Sequence, residues 1–137
     1  MNVRAATARI IAVDDEPFYL RLIEAYLSPQ GYEVITSSSG TDAIELLTKP
    51  NRERVDAVLL DRSMPDMDGM EVLRHLKTCP QLGDIPVILQ SGLAAPEQIA
   101  EGIAAGAYYY LAKPFTQELL SSIVGSAVST YEKNLGM

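Results

Sequence analysis

Five short apolar runs dominate this sequence, and at least three stop directly at a charged residue. Ile10-Ile11-Ala12-Val13 is followed by Asp14 and Asp15. Val55-Asp56-Ala57-Val58-Leu59-Leu60 ends at Asp61, and Tyr108-Tyr109-Tyr110-Leu111-Ala112 ends at Lys113. Ile85-Pro86-Val87-Ile88-Leu89 comes two residues before Ser91, and a shorter run covers Tyr32 to Thr36. Near-continuous apolar runs of this length are strands covered on both faces, which is the signature of a parallel sheet. Ligands of an open parallel sheet bind beyond the carboxyl ends of the strands. The pattern therefore gathers three carboxylates, a hydroxyl and an ammonium on one rim.

Between the runs lie helical signals. Pro17 opens a stretch to about Pro29 with Tyr19, Leu22, Ile23, Tyr26 and Leu27 on one face. Asp42–Thr48 forms a second helix, ended by Pro50. Asp68 and Glu71 have capping-box spacing for a third, running to Thr78. A fourth starts near Pro96, and Thr116 caps a fifth with Leu120, Ile123, Val124, Ala127 and Tyr131 inward. Strands are expected at Arg9–Val13, Tyr32–Thr36, Val55–Leu60, Ile85–Leu89 and Ala107–Leu111. The expected fold is an α/β (βα)5 domain with right-handed crossovers and helices on both faces. The fourth helix is the odd one: its apolar residues are mainly alanines, and Gly102 lies inside it at about 1 kcal/mol relative to alanine.

The 137 residues suit one domain. Residues 1–8 read as a loose N-terminal arm, 9–132 as the domain, and 133–137 as a tail or truncated linker. That reading leaves open a stand-alone domain or the front of a longer protein. No run reaches the roughly 20 apolar residues of a membrane span, and the arm lacks the apolar core of a signal peptide. A net charge of −7 argues against direct nucleic acid binding, which needs a basic face. The single Cys79 excludes an internal disulfide and suits a reducing cytoplasm.

Asp14, Asp15 and Asp61 repel one another if they converge, and a hard divalent cation resolves that repulsion. Mg2+ favours carboxylate and phosphate oxygens. Lys113 supplies a point charge for a phosphate, and Ser91 a hydroxyl. A carboxylate in such a place can act as a nucleophile and become an aspartyl phosphate. Asp61, alone at a strand end, is the better acceptor. Asp14 and Asp15 leave their strand as adjacent metal ligands would.

The motifs Val13-Asp14-Asp15-Glu16, Leu60-Asp61-Arg62-Ser63-Met64-Pro65-Asp66-Met67-Asp68-Gly69, Gln90-Ser91-Gly92 and Leu111-Ala112-Lys113-Pro114-Phe115, in this order, resemble the receiver domain of two-component response regulators. The resemblance covers about Arg9 to Tyr131. It implies a flavodoxin-like sheet in order 2-1-3-4-5, and a phosphoprotein switch rather than a turnover enzyme. Asp61 would accept a phosphoryl group from a sensor histidine kinase or phosphotransfer protein. Mg2+ would sit on Asp15, Asp61 and the backbone carbonyl of Ser63, with Asp14 acting through a water. Lys113 would pair with the phosphoryl group, and Ser91 would bond it and shift on activation. Tyr110 matches the aromatic switch position, and Lys113-Pro114 the family's cis peptide. Helix four, strand five and helix five would form the surface for a partner or an activation-dependent homodimer.

Two rival functions are weaker. A Mg-dependent aspartyl-phosphate phosphatase would carry a second acid two residues after the nucleophile, where this chain has Ser63. A phosphorylation-independent, receiver-like binding module would lack an acid or the lysine, and all are present.

Overall fold

A computed structural model describes residues 7–136. Five parallel strands, β1 (Arg9–Val13), β2 (Glu33–Ser37), β3 (Ala57–Asp61), β4 (Val87–Ser91) and β5 (Tyr109–Ala112), form one sheet in the order β2-β1-β3-β4-β5. The helices are α1 (Pro17–Leu27), α2 (Gly40–Thr48), α3 (Gly69–Thr78), α4 (Pro96–Ala104) and α5 (Gln117–Asn134). The expected flavodoxin-like architecture and strand order are those observed.

The two-residue period of the strands sorts their side chains into two cores. Ile10, Ala12, Ala57, Leu59, Ile88 and Leu111 pack with Ile23 and Leu27 of α1 and with Leu120, Val124 and Ala127 of α5. Ile11, Val13, Val58, Leu60, Val87, Leu89 and Tyr110 face the other way, against Ala43 and Leu47 of α2 and Val72, Leu73 and Leu76 of α3. Every residue of β3 and β4 is buried, as strands covered on both faces must be.

Several boundaries differ from the sequence reading. β3 and β4 start two residues later than expected and extend to include Asp61 and Ser91. Val55 and Ile85 are buried all the same. Pro86 cannot donate to a ladder, so β4 begins behind it. β5 likewise starts at Tyr109 rather than Ala107. α1 stops at Leu27, because Ser28–Gln30 tightens into a 3-10 turn that Gly31 closes at φ 96°. α2 begins earlier, at Gly40, with Ser39 Oγ accepting from the Asp42 amide. Asp68 caps α3 through the Met70 amide rather than through that of Glu71.

The arm expected over residues 1–8 lies outside the described residues up to residue 6. Ala8, however, is buried, and its carbonyl accepts from the Glu33 amide, so it belongs to the sheet. At the other end α5 runs on through Asn134, and Met137 is outside the described residues. Among the described residues, no helix is long and apolar enough to cross a membrane.

Candidate functional site

Strand parity also builds the site. Asp14 continues the series Ile10, Ala12; Asp61 continues Ala57, Leu59; Gln90 follows Ile88; Lys113 follows Leu111. These four polar residues thus emerge on the α1/α5 side of the sheet's carboxyl rim. Asp61 pairs in register with Gln90, and the Lys113 amide donates to the Ser91 carbonyl.

Asp14, Asp15 and Asp61 each offer a carboxylate oxygen within 4.8 Å of the others. Asp14 is fully buried and well satisfied: Lys113 Nζ donates to its Oδ2 at 2.8 Å, Gln90 Nε2 to the same oxygen at 3.3 Å, and the Glu16 amide to Oδ1 at 2.9 Å. Asp61 receives less. Lys113 Nζ stands 3.6 Å from its Oδ1, and the Ser63 amide donates at 3.2 Å. Burial and the charge of Asp14 push the Asp61 carboxyl up to about 7, against the opposing pull of Lys113 and the Ser63 amide. Burial alone would lower Lys113, but its bond to Asp14 and the charges of Asp61, Asp14 and Glu16 hold it above its ordinary value. The lysine is therefore a fixed cation, and one cation is set against three carboxylates.

A cleft of about 490 Å³ opens above this cluster, lined by Asp61, Ser63, Ser91, Leu93 and Lys113 among others. The structure thus gathers Asp61, Ser63, Ser91 and Lys113 at one opening, with Asp14 and Asp15 beside Asp61. The Lys113–Pro114 peptide bond is cis. The surplus of closely set carboxylate oxygens and the unrelieved charge on Asp61 suit a hard divalent cation.

Ser91 and Tyr110 belong to the opposite parity and face the α4 side. Ser91 Oγ accepts from the Leu93 amide at 2.9 Å, and the Tyr110 hydroxyl donates to the Leu93 carbonyl at 2.6 Å. The Tyr110 ring is buried against α4. Gly102 makes this possible. A Cβ there would lie 2.8 Å from the Tyr110 ring and 2.9 Å from Leu89, so the glycine lets α4 sit directly on the ring. Gly69 is constrained in the same way, since a Cβ would stand 2.3 Å from the Asp61 carbonyl.

Three residues of the site escaped the sequence reading. Gln90 is a fully buried amide directly after an apolar run, and its parity with Asp61 was a usable signal. Tyr19 reads as core on the inward face of α1, yet its ring lies 4.1 Å from Lys113 Nζ. Arg62 follows Asp61 and so turns to the opposite face. Its guanidinium donates to the Gln98 carbonyl at 3.0 Å and the Tyr110 hydroxyl at 3.3 Å, and pairs with Glu101. His75 is exposed on α3 and takes no part.

The fold and site define a doubly wound α/β domain with an acidic, lysine-paired cleft at its switch point. Residues 10–125 match the family model described as the response regulator receiver domain, and the chain belongs to that family. It is 36% identical over 129 residues to the two-component response regulator ARR12 of Arabidopsis thaliana, covering 93% of this chain and 21% of that protein. It is 38% identical over 120 residues to the response regulator PleD of Caulobacter vibrioides, covering 88% of this chain and 26% of that protein. The chain thus spans about a quarter or less of these two relatives. Among solved structures it resembles the chemotaxis protein CheY4 of Vibrio cholerae (TM-score 0.80, 32% identity, 89% of this chain and 99% of that one). It also resembles a response regulator receiver domain protein from Clostridium thermocellum (TM-score 0.81, 34% identity, 95% and 99%).

Proposed function

We propose that this domain is a phosphorylation-activated signalling switch whose acceptor is Asp61. The observation that carries the reading is the unequal treatment of two neighbouring acids. Asp14 is bonded to Lys113, Gln90 and the Glu16 amide, whereas Asp61 borders the cleft with its charge only partly offset. The less fully bonded carboxylate, at the cleft, is the one placed to react.

Mg2+ held by Asp15, Asp61 and the Ser63 carbonyl, with Asp14 acting through a water, would supply positive charge for the phosphoryl oxygens. An Asp61 oxygen attacks the phosphorus of a phosphohistidine on a histidine kinase or phosphotransfer protein. The P–N bond breaks, its electron pair returns to the imidazole nitrogen, and the aspartate becomes an acyl phosphate. Lys113 pairs with the new phosphoryl group from the position it already holds between Asp14 and Asp61. Ser91 donates its hydroxyl to a phosphoryl oxygen, a charge-assisted bond that favours the arrangement in which it forms. Attack of water on phosphorus later releases phosphate and regenerates the carboxylate. The readout surface is α4-β5-α5, where Ile103, Tyr109 and Leu119 are exposed.

The test is phosphorylation by phosphoramidate with Mg2+, followed by mapping of the modified residue. One phosphoryl group on Asp61 is expected, with none on Asp61→Asn. Modification of Asp61→Asn at the wild-type extent would overturn the assignment. Mg2+ titration of Asp14→Asn and Asp15→Asn checks the metal: Asp15→Asn should lose more affinity, and wild-type affinity in that variant would rule out its direct ligation.

A further inference from the structure

We propose that Arg62 is a positioning residue that couples the Asp61 loop to α4, by gripping the helix while Ser91 is turned toward Leu93. The proposal rests on the receiver reading and deepens it, adding a residue between acceptor and output surface.

The backbone of Arg62 is fixed at both ends. Its amide donates to the Gln90 carbonyl at 2.9 Å, and its own carbonyl accepts from Gly69 at 2.8 Å. Movement of the acceptor loop is therefore carried into this side chain. The guanidinium crosses beneath α4, bonding the Gln98 carbonyl, the Glu101 carboxylate and the Tyr110 hydroxyl. Its side chain is only 15% exposed, so the bonds to the Gln98 carbonyl and the Tyr110 hydroxyl are partly shielded from water, while Glu101 is 51% exposed.

The contacts form a chain. Ser91 holds the Leu93 amide, the Leu93 carbonyl holds the Tyr110 hydroxyl, and that hydroxyl accepts from Arg62, which grips α4. Ser91 cannot move toward Asp61 without disturbing its bond to Leu93, and the disturbance reaches Tyr110 and Arg62 in turn. Beyond these bonds α4 is held by Gly102, its one buried residue, and by half-buried Ile99 against the core. Arg62 thus stabilises the arrangement seen here against the one in which Ser91 turns to a phosphoryl group. A contact made in one arrangement and lost in the other biases the equilibrium by its own free energy.

The experiment uses beryllofluoride with Mg2+ as the probe, read by calorimetry, together with amide exchange over residues 96–104. Arg62→Met keeps the apolar stem and removes the donors. It should speed exchange in α4 of the free protein at least tenfold and tighten beryllofluoride binding about fivefold, since allosteric couplings typically begin near that size. A residue that merely supports the fold would weaken binding or leave it unchanged. Glu101→Gln, on the far side of the clasp, should act in the same direction more weakly. The double variant should bind no more tightly than Arg62→Met alone. If wild type binds beryllofluoride and neither variant tightens it, or if the two effects add, the coupling is wrong. If wild type takes up no beryllofluoride, the receiver reading itself falls, and the coupling with it.

Discussion

α5 and α4 flank the same end of the sheet and are held by opposite means. α5 buries Leu120, Val124, Ala127, Val128 and Tyr131 along 18 residues, and its Glu132 approaches Arg54, which also pairs with the buried Asp56. α4 has nine residues, and Gly102 alone is buried. Besides half-buried Ile99, which packs on the core, its anchors are polar: Arg62 reaches its Gln98 carbonyl and Glu101, and Gln98 Oε1 accepts from the Ala95 amide at its own N-terminus. Apolar burial is non-directional and survives small displacements, whereas a hydrogen bond weakens steeply with distance and angle. One helix is thus held mainly by burial, and the other mainly by a few specific bonds.

The largest effect should come from the anchored side. Leu120→Ala removes a fully buried side chain of the α1/α5 core, to which Ile10 and Leu59 also belong. It should cost about 2–5 kcal/mol in denaturant unfolding. A loss below about 1 kcal/mol would mean that α5 is no better anchored than α4.

The next effect lies at the acid cluster between them. Because the folded state holds the Asp61 proton up to about pH 7, against 3.8 for a free aspartate, its contribution to stability is present below pH 4 and lost as pH rises through 7. Asp61→Asn removes that ionisation. In metal-free buffer it should be more stable than wild type at pH 8 by on the order of 2 kcal/mol, with the gap closing toward pH 4. Added Mg2+ should narrow the gap at pH 8 by stabilising wild type. Equal stability of the two proteins at pH 8 would show that Lys113 already neutralises the cluster.

Gly102→Ala sharpens the contrast further. Alanine gains about 1 kcal/mol of helix propensity. Its methyl, however, meets the Tyr110 ring and Leu89, and overpacking of that kind costs about 1–3 kcal/mol. A net loss of roughly 1 kcal/mol is expected, with faster amide exchange in α4 as the helix is lifted off the ring. A stabilised protein with unchanged exchange would mean that α4 does not rest on Tyr110.

Much of this was legible in the sequence because burial on both faces leaves so plain a trace. The runs before Asp14, Asp61 and Lys113 gave the strands, and the charges at their ends gave the site. Boundaries moved where apolar residues precede a ladder without joining it, as at Val55 and Ile85, since hydrophobicity reports burial and not pairing. Gly102 was read as a weakness in α4, and only its distance to Tyr110 reveals a seat. Arg62 was passed over because a charge beside Asp61 looks like a solvated loop residue. Its role depends on parity carried one residue past the end of β3, and on which helix covers that face.

The smallest effect is the most discriminating. Ile103 lies on α4 and is 46% exposed, so truncation to alanine removes little buried surface. Alanine also regains a few tenths of a kcal/mol that a β-branched residue loses in a helix. Ile103→Ala should therefore change unfolding free energy by no more than about 0.5 kcal/mol. On the proposed output surface the same side chain is an exposed apolar contact, and its loss should weaken any beryllofluoride-dependent self-association measured by sedimentation or light scattering. The two readouts separate the roles of the helix. A cost above about 1 kcal/mol would place Ile103 among the anchors and make α4 a weaker copy of α5. Unchanged stability together with unchanged beryllofluoride-dependent association would keep the contrast in anchoring and remove Ile103 from the surface that reads the switch.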